Sequence, residues 1–110
     1  MEKIFYKKLI RDKIPEIIEN NNNVCETRIL DDVEFEVELR KKLIEESKEV
    51  STAPKEELID ELADVLEIIY SLTDVNQLKM EDVEKTRQIK KEKRGGFDKK
   101  IFLEWSGPKE

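Results

Sequence analysis

Four acidic side chains in this sequence have the type and spacing to do chemistry. Plotted at about 100° per residue, the segment after Asp32 aligns Phe35, Leu39, Leu43 and Val50 along one helical stripe, and Glu46 falls inside it. The segment after Pro54 aligns Leu58, Leu62, Val65, Ile69 and Leu72, with Ile68 on the flank, and Glu61 interrupts that stripe in the same way. Each embedded acid has a second acid three residues on, Glu49 after Glu46 and Asp64 after Glu61, side by side on the helix surface. If the two helices fold back about position 55, next to Pro54, the pairs lie at one height and four carboxylates converge. Partly buried carboxylates at such density need a cation, and an oxygen-only donor set favours a hard ion, Mg²⁺ or Mn²⁺. Among 27 acids, pairs at this spacing also arise on solvated faces, and Glu45, Asp60 and Glu67, which fall off both stripes, read that way. The interruption of two apolar stripes at matching heights is what points to metal.

Composition removes other chemistries. The sequence has no His, which excludes Ser-His and Cys-His catalysis and the usual zinc ligand sets. Cys25 is the sole cysteine, so no internal disulfide forms, and it reads as a structural thiol. A net charge of −6 argues against stable nucleic-acid binding, although a local basic patch is compatible with it. The first residues lack the apolar stretch of a secretory signal and no run has membrane length, so a cytoplasmic protein with no membrane partner is expected.

The elements that must position the acids follow from punctuation and period. With 44% charged residues and few Gly or Pro over 110 residues, long amphipathic helices are expected within a single domain spanning 1–110. A short helix opens near Asp12, with that acid as N-cap, and ends in the run Asn20 to Asn23. Asp31 and Asp32 cap a long helix from about Val33 to Val50, Pro54 breaks the chain, and a third helix runs to about Leu72. A fourth, Met80 to Arg94, is stopped by Gly95-Gly96 in the manner of an αL cap. Val24 to Leu30 and Lys100 to Trp105 are expected as two short strands that pair. The fold class is therefore all-α, a bundle of about four helices with a small two-stranded β element.

The motif Glu45-Glu46-Ser47-Lys48-Glu49 with Glu61-Leu62-Ala63-Asp64 resembles the E-E-x-x-E and E-x-x-D motifs of the MazG-like all-α nucleoside triphosphate pyrophosphohydrolases. Lys8 to Glu16 and Lys93 to Phe97 look like the opening and closing segments of a small house-cleaning branch of that superfamily, so the likeness covers most of the chain. The resemblance implies metal ligands at Glu46, Glu49, Glu61 and Asp64, with Glu45 in the motif but not required at the metal. It also implies cleavage between the α and β phosphates of a nucleoside triphosphate, and a homodimer or larger homo-oligomer. A second apolar line on the long helix, Val33, Val37 and Ile44, fits that assembly. On this hypothesis Mg²⁺, with Mn²⁺ as substitute, assists hydrolysis and one of the four carboxylates accepts the proton of the attacking water.

A triphosphate also needs protein cations. Lys90 and Arg94 lie one helical turn apart and can bridge a phosphate, and Arg11 and Lys13 are further candidates; a solvated helix end is the other reading of Lys90 and Lys91. Tyr6, Phe97 and Trp105 are read as core rather than as base-stacking groups. Two alternatives share the sequence: a phosphoribosyl-ATP pyrophosphohydrolase, and a non-catalytic acidic helical module that oligomerises.

Overall fold

Helix ends in this chain follow from a few polar side chains. In the computed structural model, which describes residues 2–110, Asp31 has extended backbone and its Oδ1 accepts a hydrogen bond of 2.8 Å from the amide of Glu34. That N-cap opens the long helix α2, Asp32–Thr52, whose first turn also carries Asp32 and Glu34 against the positive end of the helix dipole. At the other end the Ser51 hydroxyl donates to the Lys48 carbonyl at 2.7 Å, and Pro54 stops the helix. A single 3-10 turn, Lys55–Glu57, leads into α3, Leu58–Val75, which Asn76 closes by donating from Nδ2 to the Leu72 carbonyl at 2.8 Å.

The short first helix, α1, spans Ile14–Asn20, and Asp12 is not its cap. The residue flanking its start is Lys13, without a side-chain cap, and the Ile14 amide donates to the Arg11 carbonyl at 3.1 Å. A backbone turn, rather than the Asp12 carboxylate, therefore sets the entry. The fourth helix, α4, is Met80–Arg94, as the periodicity and Gly95 indicated. Gly95 has the positive φ of 84° that favours glycine, but its ψ of 172° is extended, so the chain leaves the helix outward rather than through an αL turn.

The described residues contain no strand, so the expected pairing of Val24 to Leu30 with Lys100 to Trp105 does not occur. Their β-branched and aromatic residues fit a pleated strand, but a strand is stable only against a partner ladder. Val24, Ile29, Ile101 and Trp105 are exposed, as are Phe97 and Tyr6, so none of these aromatics is core. Cys25 is an exposed free thiol. No helix among the described residues is long and apolar enough to cross a membrane.

Two compact units divide the chain, Met1–Leu78 and Lys79–Glu110. In the first, α2 and α3 pack along each other as a hairpin closed by the short connection at Pro54. Leu39, 3% exposed, and Ile68, 5% exposed, are its buried apolar residues, joined by Thr73, whose hydroxyl donates to the Tyr70 carbonyl. Phe35, Leu43 and Val50 on α2 and Val65, Ile69 and Leu72 on α3 are half-buried.

One member of the expected α3 stripe is displaced: Leu62 is 50% exposed, while Ile68 moves from the flank to the centre. The reason is the period of a two-helix seam. Positions 58, 61, 65, 68, 72 and 75 recur in alternating steps of three and four residues and face the partner helix, whereas 62 turns away. The second unit consists of α4 and an irregular, exposed tail.

If the Asp31 carboxylate is what opens α2, Asp31→Ala should cost about 1 kcal/mol of stability. Urea unfolding is expected to show a lower midpoint with an unchanged slope; an unaltered midpoint would remove Asp31 from this role.

Candidate metal centre

Because the inward line of α3 passes through position 61, Glu61 projects from the seam itself, and Asp64 follows one turn later on the same side. On α2 the matching inward line runs through Phe35, Leu39, Lys42, Glu46 and Val50, so Glu46 also occupies a seam position. The midpoint of Glu46 and Glu61 is 53.5 and that of Glu46 and Asp64 is 55, both at the Pro54 break. The hairpin thus folds where the matching of the two acid pairs requires.

Glu46, Glu61 and Asp64 are half-buried, and each offers a carboxylate oxygen within 4.8 Å of those of the other two. Opposite oxygens around a six-coordinate Mg²⁺ are about 4.2 Å apart, twice its ligand distance, so small side-chain rotations bring all three onto one ion. The donor set is all oxygen and fits Mg²⁺ or Mn²⁺. Glu49 is exposed and lies outside this triad, yet its charge is the largest carboxylate contribution acting on Glu61. Glu45 is exposed and pairs with Lys8 at 3.7 Å, in keeping with a motif residue that need not touch metal.

The electrostatics are those of a crowded anionic site. Glu61 is pushed above the ordinary glutamate range, first by desolvation and then by the charges of Glu49, Glu46, Asp64 and Glu57. Cations from the protein meet the other two acids. Lys42, one turn before Glu46, places Nζ 3.8 Å from Oε1, with side chains only 19% and 14% exposed. Arg11, from the segment before α1, donates from Nη2 to Asp64 Oδ1 at 2.7 Å.

Of the cations that the sequence nominated, Arg11 alone is seen on a triad acid. Lys13 is exposed at the start of α1, and Lys90 and Arg94 are exposed on α4, one turn apart. Sequence reasoning passed over Lys42 and a shallow cleft of about 220 Å³ that Lys42 lines together with Lys7, Lys8, Lys41, Glu38 and Glu45. The available signal was spacing: Lys42 falls on the seam period and stands four residues before Glu46. No family model, curated protein or solved structure matches the chain.

Linkage gives the Glu61 shift a measurable sign. A carboxyl whose pKa is raised on folding binds a proton more readily in the folded chain, so its ionised form costs stability at neutral pH. That cost vanishes as pH falls through the raised value. Glu34 and Glu84, held low by hydrogen bonds from Arg28 and Arg87, act in the opposite direction, and comparing two variants cancels them. Glu61→Gln, which mimics the protonated acid, is expected to raise the Tm of the metal-free protein at neutral pH and to lose this advantage in acid. A gain that stays constant across the titration would contradict the shift.

Proposed function

We propose that this chain is a Mg²⁺-dependent nucleoside triphosphate pyrophosphohydrolase. It would cleave the bond between the α and β phosphates of canonical or modified NTPs or dNTPs, releasing a monophosphate and pyrophosphate. The observation that carries this reading is the convergence of Glu46, Glu61 and Asp64 on the inner seam of a helical hairpin, with donor geometry that fits a hard divalent ion. The motif resemblance supplies the reaction class.

In this mechanism Glu46, Glu61 and Asp64 would hold the ion, and the resemblance adds Glu49 as a fourth ligand. When bound, the ion neutralises phosphate oxygens and makes water a stronger nucleophile at neutral pH. The protein's own part is to fix the carboxylates on two rigid helices, to place a base beside the attacking water, and to meet the phosphate charge with cations. One of the four carboxylates would accept the proton of the attacking water. Lys42, paired with Glu46, also lines the cleft with Lys7, Lys8 and Lys41, where anionic oxygens can be received. Arg11 is close enough to Asp64 to serve the same end, Lys13 follows it in the chain, and Lys90 and Arg94 enter this reading through their one-turn spacing on α4.

The reading also includes a homodimer or larger homo-oligomer. Val33, Val37 and Ile44 on α2 are exposed, and Ile59, Leu62, Leu66 and Tyr70 form a second exposed line on α3 at helical spacing. With Leu39 and Ile68 the buried apolar side chains among the described residues, these lines are natural surfaces for a second copy.

The decisive assay is pyrophosphate release from canonical and damaged nucleoside triphosphates with Mg²⁺, Mn²⁺ or EDTA. Activity should require the metal, and Glu46→Gln should lower kcat/KM on the order of a hundredfold or more, the scale for losing a group that stabilises developing charge. Turnover of phosphoribosyl-ATP alone would change the substrate; silence with every substrate would leave the non-catalytic helical module. Separately, light scattering on the double variant Leu66→Glu, Tyr70→Glu should show a mass closer to one chain than the unmodified protein does. An unchanged mass would exclude this α3 face from the assembly.

A further inference from the structure

We propose that Arg11 is a displaceable counter-ion of the metal centre. It holds Asp64 while no metal is bound and is released when a divalent cation takes that carboxylate. The inference rests on the reading of Glu46, Glu61 and Asp64 as metal ligands.

The Arg11 guanidinium and the ion would compete for one group. Arg11 Nη2 donates to Asp64 Oδ1 at 2.7 Å, a charge-assisted bond, and the same carboxylate supplies an oxygen to the triad. A guanidinium and a divalent ion on one carboxylate repel each other. Lys42 on Glu46 and Arg11 on Asp64 together provide two positive charges, the charge that one Mg²⁺ would bring, so the metal-free acids are neutralised in part by the chain itself.

The two cations differ in their freedom to leave. Lys42 is carried by α2, only 19% exposed, and bonded within its own helix at i, i+4. Arg11 comes from an irregular segment and its side chain is 53% exposed, so it can swing into solvent at little cost in packing. Its partner lies 53 residues away in sequence, and the bond therefore tethers the N-terminal segment to α3. Metal binding would untie that segment and turn the guanidinium toward an arriving polyphosphate, so that this cation becomes available only at a loaded site.

The test is Mn²⁺ binding to the full chain without nucleotide, read by electron paramagnetic resonance, for the unmodified protein, Arg11→Gln, Arg11→Lys and Lys13→Gln. Loss of the competing charge should tighten Mn²⁺ binding about five- to tenfold in Arg11→Gln. Arg11→Lys should stay near the unmodified value, and Lys13→Gln, which removes a nearby charge but no carboxylate bond, should change it less than about twofold. Hydrogen exchange of the Ile14 and Ile17 amides, which donate to the Arg11 and Lys13 carbonyls, should speed up when Mn²⁺ is added, against the usual protection by a ligand. Equal or weaker Mn²⁺ binding by Arg11→Gln, with the unmodified protein binding normally, overturns the inference and leaves the metal site standing. Absence of Mn²⁺ binding in the unmodified protein and in Arg11→Gln overturns both.

Discussion

Like charges confined between two packed helices are the constraint to which the rest of this structure answers. A helical hairpin is normally held by an apolar seam, yet the seam between α2 and α3 carries Lys42, Glu46 and Glu61 at positions that steps of three and four residues direct inward. Desolvation first, and then the neighbouring carboxylates, raise the cost of ionising Glu61. Relief has to come from cations, and two are on hand: Lys42 along the same helix and Arg11 from across the chain. A site under this electrostatic load attracts a divalent ion more strongly than a relaxed one, which connects the chain's awkward seam to the chemistry proposed for it.

Register is what brings Glu46 to Glu61 and Asp64. Slipping α3 by one residue against α2 would shift Glu61 about 1.5 Å along the axis and rotate it about 100°, out of the seam. Asp31 at one end of α2 and Pro54 at the other define where that helix begins and stops, and the 3-10 turn after Pro54 sets how soon α3 starts. Local chemistry at three points thus decides whether carboxylates 15 and 18 residues apart in sequence meet.

Much of this was legible because it depends on local order. Glu46 and Glu61 could be found from the interruption of apolar stripes, Asp64 from its place three residues after Glu61, and the turn at Pro54 and the cap at Asp31 from residue type. The displacement of Leu62 by Ile68 was not legible from a free helix of 3.6 residues per turn, since a seam with a partner selects a slightly different line. Lys42 was hidden by its type: a lysine in a charged helix reads as solvated, and only the seam reveals its burial. The expected strands failed for a related reason, since the β-branched content of Val24 to Leu30 is local but pairing is not. Arg11 on Asp64 was beyond reach, because nothing in a sequence states which of 21 cations will cross to a given acid.

A polar seam leaves the hairpin short of the burial that normally stabilises one. With Leu39 and Ile68 as the buried apolar side chains among the described residues, the hydrophobic contribution from between the helices is small, while α3 presents Ile59, Leu62, Leu66 and Tyr70 outward. If the acids are retained for metal binding, stability has to be drawn from the outer faces, and a second copy of the chain is the partner this reading proposes for them. Assembly and catalysis would then be two consequences of one allocation of side chains: charge on the inner side of α3 for the ion, and apolar surface on the outer side to hold the helix in place. The same allocation makes the inner face tolerant of change, since a seam that contributes little to folding can exchange one counter-ion for another without unfolding.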